Sequence, residues 1–524
     1  MRTPTFPAWL LLTCSLVSSA LGCSPSSPPS SKAADSAEPE EELPRPPRKE
    51  RRLDPRITVD NLRARLTPYI ESIGAGFGAG YQPTGIVSVS AAGENVYEHA
   101  FGRADQQAGT PNTADTSFRI GGISSQFTAT AVLRLAQAGK LALTDSIKKY
   151  LPEYPEPGAA ITVHQLLSHT GGLPNYLLDP ALVPRRAQAF TPKELLELFW
   201  NEPLEFTPGS DFRYSDSGYA VLGVIIERVS GQSYEAFMQR EIFSRFGLEH
   251  TRVGDGPADE QSARGYSASE SGGLEAVQGF HSSILYAGGG IRSTARDLLL
   301  WHDALQNGEV LDAEHQAALS KPVSNHYAYG WFVREELGHT VLSHAGGVEG
   351  FVSHFARIPD LDLAAVVLFN NSSIDTAQVL LSSLGAALGE KVEPRSKDTL
   401  VALEPDIPPR ITGTYRLSDS AAEEMKQRKV PKKALAAMRS VRIIEEQGKL
   451  LFKPIGQAAV PMIATGRSSF VLVGGKAKIE VELDSNGSPA TRLVLKQGPL
   501  SIEFTRRARV RGKPEEPENT DALP

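Results

Sequence analysis

Apolar residues recur at helical spacing through the middle of the chain, whereas short apolar runs lie nearer its two ends. In residues 60–73, for example, Leu62, Leu66 and Ile70 share one helical face. Helices are predicted at 60–73, 127–138, 191–200, 217–229, 233–246 and 294–305, and strands at 85–90, 95–101 and 364–369. Because the strands come from both sides of the helical region, the pattern predicts one α/β domain assembled from distant parts of the chain.

The pattern changes at about residue 409, where short alternating runs replace the helical spacing. Strands are predicted at 411–417, 441–445, 450–454, 470–473, 479–483, 492–495 and 502–505, separated by glycine-containing turns. Residues 418–438 are more polar and predict a helical insertion. This part of the chain therefore predicts a second, antiparallel β-rich domain over residues 396–508, followed by a charged, disordered tail at 509–524.

Composition agrees with two folded domains and argues against one class of partner. The chain has 524 residues, of which 40% are hydrophobic and 22% charged, as expected for globular proteins. Its formal net charge is -7, so it lacks the basic surface that nucleic-acid binding requires. We therefore expect no nucleic-acid partner.

The N-terminus has the order of features found in export signals. Arg2 precedes an apolar stretch at 8–21 that is too short to span a bilayer. Residues 1–22 are thus predicted to be a signal peptide. The sequence Ala20-Leu21-Gly22-Cys23 resembles a bacterial lipobox with its first two residues reversed, which implies lipid attachment at Cys23. An ordinary cleavage site with an incidental cysteine is the other interpretation.

Cysteine usage favours the lipid anchor. The chain has two cysteines, Cys14 inside the signal and Cys23 at its end, so the exported protein has no cysteine pair for a disulfide. Residues 23–56 are rich in Ser, Pro, Glu and Arg and predict a disordered linker. We expect an exported protein anchored to the bacterial cell envelope, with the outer membrane favoured by Ser24; the alternative is a secreted or periplasmic protein.

Six motifs stand in a fixed order between the two predicted ends of the α/β domain. They are Phe118-Arg119-Ile120-Gly121, Ser168-His169-Thr170-Gly171-Gly172, Tyr214-Ser215-Asp216, Gly288-Gly289-Gly290, Tyr329-Gly330-Trp331 and His344-Ala345-Gly346-Gly347. Over residues 57–395 the chain resembles the serine β-lactamase superfamily, in particular the group of class C β-lactamases, D-Ala-D-Ala carboxypeptidases and esterases. The resemblance implies an antiparallel sheet flanked by helices, with a helical subdomain, and the C-terminal part is similar to the small barrel-like domains appended to many members.

The resemblance also implies that the reactive pair of this family is missing. Its members use Ser-x-x-Lys at the start of a helix, with the lysine one turn after the nucleophile. Alignment of Phe118-Arg119-Ile120-Gly121 places Gly122 at the serine and Ser125 at the lysine. A covalent hydrolase that loses its nucleophile retains about one part in 10⁶ of its turnover, so we expect no covalent turnover.

The other site positions are retained by resemblance. Tyr214 matches the proton-shuttling tyrosine, Asp216 stands where relatives have Asn or Asp, and His344 and Gly346 belong to the strand motif. Their alternative roles are a hydrogen-bonded core tyrosine, a helix N-cap and a structural histidine. His169 is expected to be structural.

Three functions are consistent with these residues. The first is a pseudoenzyme that binds a peptide, a peptidoglycan-like ligand or a protein. The second is an active serine hydrolase that uses Ser125, activated by Tyr214. The third is a structural envelope protein. The sequence contains neither His-Glu-x-x-His nor Gly-x-Ser-x-Gly, so no metal, cofactor or second nucleophile motif is expected.

Overall fold

The computed structural model describes residues 51–73, 83–256, 261–268, 274–372, 374–394, 403–427, 439–446, 449–454, 460–472, 477–484, 486–497 and 500–506. The chain divides into two compact units between Ser396 and Lys397, and the two are described separately. The predicted signal peptide, the predicted lipidation residue Cys23 and the predicted tail lie outside the described residues. Within these ranges, no helix combines the length and apolar character that a membrane span needs.

The first unit contains eleven helices and thirteen strands within the described residues. The helices are α1 (Leu62–Ser72), α2 (Ser124–Gln137), α3 (Ile147–Tyr150), α4 (Val163–Leu167), α5 (Pro192–Glu197), α6 (Asp216–Ser230), α7 (Tyr234–Met238), α8 (Ser282–Gly289), α9 (Ala295–Gln306), α10 (Ala313–Ala318) and α11 (Thr376–Ala387). The strands are β1 (Gly85–Ala91), β2 (Glu94–Phe101), β3 (Arg103–Asp105), β4 (Thr110–Pro111), β5 (Phe118–Arg119), β6 (Arg252–Val253), β7 (Tyr266–Ala268), β8 (Leu274–Ala276), β9 (Ile291–Ser293), β10 (Phe332–Glu336), β11 (His339–Val348), β12 (Phe351–Ile358) and β13 (Leu363–Phe369).

A six-stranded antiparallel sheet in the order β10-β11-β12-β13-β1-β2 forms the centre of this unit. Both β1 and β13 are buried along their whole length, which explains their continuous apolar runs. One face of the sheet packs against α1 and α11, and the other packs against a larger core that includes α2, α6 and α9. The turn from β1 to β2 uses Ala92 and Gly93, both with positive φ, as a two-residue hairpin requires.

Helix α6 is the centre of the helical subdomain. It packs against α2, α3, α4, α5, α7 and α8, and its residues from Ser217 to Ile226 are all buried. A capping box starts α5, because the Thr191 hydroxyl accepts from the Glu194 amide while the Glu194 carboxylate accepts from the Thr191 amide. The helix predicted at 233–246 is shorter as an α-helix and continues as π-helical turns from Gln239 to Ser244.

The end of the predicted linker is part of the folded unit. The guanidinium of Arg51 pairs with Asp303 at 2.6 Å and with Asp362 at 2.9 Å. The Arg51 guanidinium lies against Gly93, where a Cβ would collide with it. The assignment of all of residues 23–56 to a disordered linker is therefore wrong for Arg51, which the sequence alone grouped with the neighbouring solvated charges.

The second unit is an eight-stranded antiparallel barrel. Its strands are β14 (Gly413–Leu417), β15 (Ser440–Glu446), β16 (Lys449–Pro454), β17 (Val460–Ala464), β18 (Ser469–Leu472), β19 (Lys478–Val481), β20 (Arg492–Gln497) and β21 (Leu500–Arg506), with helices α12 (Ile407–Ile411) and α13 (Asp419–Gln427). Pairing of β14 with β21 closes the barrel. The sequence predicted seven of these strands and missed β17. An antiparallel sheet flanked by helices, followed by a barrel, is the predicted fold class.

Candidate functional site

The segment that precedes α2 is held against strand β11 by glycines. Strand β5 pairs with β9, and a 3₁₀ turn over Gly121–Ile123 leads into α2. Gly121 has φ +51, and a Cβ there would lie 2.9 Å from the Gly347 nitrogen. At Gly346 a Cβ would overlap the Ile120 carbonyl oxygen. Only glycine fits these positions, because the two backbones approach too closely for side chains.

Gly122 faces the other predicted site residues. A Cβ built at Gly122 would lie 2.8 Å from His344 Cε1 and 3.1 Å from the Tyr214 hydroxyl oxygen. It would also lie 2.8 Å from the Ala345 carbonyl oxygen, which belongs to a strand and cannot rotate away. The position that the resemblance assigns to the nucleophile is therefore at the centre of the site, but it has no room for a serine in this backbone arrangement.

Ser125 occupies the lysine position one helical turn later. Its side chain is fully buried, and its hydroxyl donates to the Gly288 carbonyl oxygen at 3.5 Å. It also hydrogen-bonds with Tyr214. This bond lowers the pKa of Tyr214, but burial has the larger effect and raises it. Burial raises the pKa of Tyr214 well above its ordinary value, so Tyr214 stays protonated at neutral pH and cannot act as a base toward Ser125.

His344 is a neutral, hydrogen-bonded residue. Its Nδ1 lies 2.7 Å from the Ala345 carbonyl oxygen, which can only accept, so Nδ1 carries the proton. The opposite nitrogen, Nε2, then accepts from the Tyr327 hydroxyl at 3.3 Å. Burial lowers the pKa of His344 to about 4. His344 therefore supplies no positive charge to the site at neutral pH.

His169 packs against the aromatic residues of the site. It lies against Tyr214, with ring centroids 4.3 Å apart, and against Tyr327, at 4.6 Å. Its Nδ1 accepts from the Ser215 amide at 3.2 Å, which links the loop after α4 to the start of α6. Burial lowers the pKa of His169 to about 3. These contacts describe a structural residue that positions the Tyr214 segment.

Asp216 is the first residue of α6, and Ser215 occupies the N-cap position. The Asp216 carboxylate accepts from the side-chain amide of Asn175 at 2.9 Å. Its other oxygen is 3.1 Å from the point where a Cβ of Gly288 would lie. Burial raises the pKa of Asp216, because no cation offsets the desolvation of its charged form.

The structure thus brings together Gly122, Ser125, Tyr214 and His344, with Asp216 and Gly346 beside them. Sequence reasoning missed Tyr327, Asn175 and Ser353. The Ser353 hydroxyl donates to the Ile120 carbonyl oxygen at 2.9 Å, which fixes the segment before Gly122. These three residues are adjacent to the site only in the folded chain, although Tyr327 lies two positions before the Tyr329-Gly330-Trp331 motif.

Strand β11 has an open edge next to Gly122. Strand β10 pairs with β11 only from His339 to Ser343, whereas β12 pairs with it from Leu342 to Val348. Residues 344–348 are therefore paired on one side only, and Gly347 is exposed. An open strand edge can accept an extended peptide through its backbone amides and carbonyls.

One other group of residues has the composition of a metal site. Among the described residues, His302, Asp303 and Asp362 are the group whose ligand atoms lie close enough to share an ion. The Arg51 guanidinium pairs with both of these carboxylates. The group therefore binds an arginine side chain, and it contains none of the six predicted site residues.

Comparison with known proteins agrees with the fold. A family model described as Beta-lactamase matches residues 70–381. A penicillin-binding protein from Bacillus subtilis (strain 168) is 24% identical over 458 residues, which are 82% of this chain and 95% of that protein. Esterase EstB from Burkholderia gladioli is 35% identical over 178 residues, 31% of this chain and 45% of the esterase. The solved structure of an octameric penicillin-binding protein homologue from Pyrococcus abyssi has a TM-score of 0.57 and 21% identity, covering 85% of this chain and 100% of that one.

Proposed function

This chain belongs to the beta-lactamase family, and we propose that it has kept the cleft of that family as a binding site and lost the hydrolytic chemistry. The observation that carries this proposal is Gly122. A side chain there would meet the Ala345 carbonyl oxygen and His344 Cε1, both at 2.8 Å. The site therefore lacks the nucleophile and also the space that a nucleophile would need.

The ligand that the cleft supports best is an extended peptide or a peptidoglycan-like fragment. The open edge of β11 offers backbone donors and acceptors beside Tyr214 and His344. Two relatives are named for penicillin binding and for esterase activity, and both names refer to molecules with acyl groups. A protein partner that presents an extended strand would use the same edge.

An active hydrolase that uses Ser125 has less support. Ser125 is fully buried, and its neighbour Tyr214 is held in the protonated form by burial. A nucleophilic serine needs both access to substrate and an adjacent base. A structural envelope protein, the third possibility, would have no ligand in the cleft.

Binding and catalysis are separated by two measurements on the purified protein. Intact mass spectrometry after incubation with a fluorescent penicillin should show no covalent adduct, and a chromogenic cephalosporin should remain intact. Thermal-shift screening with acyl-D-Ala-D-Ala peptides and peptidoglycan fragments should raise the melting temperature. An adduct mapped to Ser125 would contradict the loss of chemistry, and the absence of any ligand-induced shift would favour the structural role.

A variant of the β11 edge makes the binding test specific. Gly347→Trp adds an indole at an exposed position where a Cβ meets no atom within 4 Å, so the fold should tolerate it. It should abolish the ligand-induced shift by covering the strand edge. Glu335→Trp is the matched control, because Glu335 is exposed on β10 of the same sheet. Equal shifts in both variants would place the ligand elsewhere.

We also propose that the protein is exported and lipid-anchored at Cys23, which rests on the sequence of residues 1–23. Wild-type protein expressed in a bacterial host should partition into detergent, because two or more acyl chains give stable attachment. Cys23→Ser should not partition. A wild-type protein found wholly in the aqueous phase, with a mature N-terminus other than Cys23, would show an ordinary secreted protein.

A further inference from the structure

A cavity of about 540 Å³ lies between the end of α9, the segment that contains α10, and strands β11 and β12. Its volume is within the ~300–1,000 Å³ that is usual for small-molecule sites. None of the predicted site residues lines it. The wall is mainly apolar and includes Leu305, Leu311, Leu319, Trp331, Leu342 and Pro359.

A buried arginine lines this apolar cavity. Arg357 is on β12, which pairs with β11 on one side and β13 on the other. Side chains alternate along a strand, so Arg357 shares a face with Phe355, a residue of the main core. Only 4% of Arg357 is exposed, at a position where the alternation calls for an apolar residue.

The charge of Arg357 is not neutralised by an ion pair within the described part of the chain. Its Nη2 donates to the Gln306 side-chain oxygen at 2.6 Å, whereas its Nε is buried without a partner. The nearby Asp362 carboxylate is paired with Arg51. Burial lowers the pKa of Arg357 to about 10, so it is charged at neutral pH. A buried charge of this kind is costly unless an anion reaches it.

A second polar atom in the cavity lacks a partner. The Gln316 side-chain oxygen is buried and makes no hydrogen bond, while the amide nitrogen of the same group has only a long bond, 3.4 Å, to the Leu305 carbonyl oxygen. Gln316 thus adds a second buried polar side chain with incomplete hydrogen bonding to the surroundings of the cavity. Both residues line the cavity.

We propose that this cavity binds an aliphatic monocarboxylate such as a fatty acid. The carboxylate would accept from the Arg357 guanidinium, and the hydrocarbon chain would lie against the leucines, Trp331 and Pro359. A guanidinium binds carboxylates through charge-assisted hydrogen bonds, and the apolar wall removes the chain from water. A strongly hydrated phosphate fits less well, because the wall offers few other donors.

The test measures dodecanoate binding by isothermal titration calorimetry on the full chain carrying Cys23→Ser, so that no detergent is needed. This protein, with its cavity residues unchanged, should bind dodecanoate and should not bind dodecyltrimethylammonium. Arg357→Met should weaken dodecanoate binding roughly 10- to 100-fold, the usual effect of one charged hydrogen bond. Its fold should persist, since an apolar side chain of similar size can replace a buried charge.

Two further variants separate the cavity from the charge. Ala317→Trp, on the exposed side of α10 at the cavity wall, should reduce binding of both dodecanoate and 1-dodecanol by filling the space. Arg334→Met, at an exposed arginine on β10, should change neither. Absence of dodecanoate binding, equal affinities for dodecanoate and 1-dodecanol, or unchanged binding in a folded Arg357→Met protein would each overturn the proposal.

Discussion

The cleft around Gly122 and the cavity beside Arg357 share strands β11 and β12 but differ in the space that lies beside their central residues. In the cleft, Ser125 and His344 have hydrogen-bond partners, and the space at Gly122 is closed. In the cavity, Arg357 Nε has no partner and about 540 Å³ is open. A family motif thus predicts which residues come together in a site, whereas a buried arginine without an ion pair beside open volume indicates a ligand site that no motif predicts.

The strongest test of this contrast is an attempt to restore the chemistry. The double variant Gly122→Ser/Ser125→Lys recreates the reactive pair, but a side chain at 122 collides with the Ala345 carbonyl oxygen. We therefore expect no acylation by a fluorescent penicillin, which keeps turnover about 10⁶-fold below that of an intact hydrolase. Covalent labelling of the folded double variant, detected by mass spectrometry, would show that β11 moves aside and that position 122 accommodates a side chain.

A pair of glycine substitutions measures the closure itself. Gly346→Ala places a Cβ on the Ile120 carbonyl oxygen, whereas the Cβ of Gly347→Ala meets no atom within 4 Å. Overpacking of this kind typically costs about 1–3 kcal/mol, so Gly346→Ala should lower the free energy of unfolding by about 3 kcal/mol. Gly347→Ala should be close to neutral. Chemical denaturation measures both, and equal stabilities would mean that the contact between β11 and Ile120 is loose.

The fold was largely predictable because its signals are local. The apolar run of β13 and the helical spacing of apolar residues in α2 can each be recognised within one short stretch of sequence. The missed strand β17 is short and contains Pro461, which interrupts the pattern used to predict the other barrel strands. Arg51 was assigned to a solvated linker because its partners, Asp303 and Asp362, are distant in sequence.

Acid should weaken the region of the cleft. The pKa values of His344 and His169 are lowered by burial to about 4 and about 3. Between pH 6.5 and 4 the unfolded chain therefore binds protons that the folded chain does not, and the free energy of unfolding falls as pH falls. The slope is up to about 1.4 kcal/mol per pH unit for each histidine.

Substitution of one histidine checks that assignment. His344→Gln removes one titrating group and should reduce the slope of unfolding free energy against pH between 6.5 and 4. Identical slopes in wild type and His344→Gln would show that His344 is accessible to protons in the folded protein, contrary to its buried position in the cleft.

The smallest expected effect concerns the charge balance near the cavity. Arg51 pairs with Asp362, the carboxylate that acts electrostatically on Arg357. Arg51→Ala should leave that carboxylate without its arginine partner and so weaken dodecanoate binding a few-fold, by about 1 kcal/mol or less. Arg52→Ala, its exposed neighbour, is the control. Unchanged dodecanoate affinity in both variants would show that the charge of Asp362 has no effect on binding in the cavity.

The sequence predicted which residues form the candidate site but not how much space lies between them. The motifs identified Gly122, Tyr214 and His344 as neighbours, and the structure brings them together. The closure at Gly122 depends on the position of Ala345, more than two hundred residues later in the chain. Arg357 had no signal at all, because an arginine in a sequence is expected at the surface.

Closure of the C-terminal barrel has a consequence for how such a chain can be assembled. Pairing of β14 with β21 places the first and last strands side by side and leaves no strand of the barrel with an unpaired edge. Such a module does not offer a template for edge-to-edge aggregation. Because its entry and exit strands are neighbours, it can also be joined to a longer chain at either end without reopening its sheet.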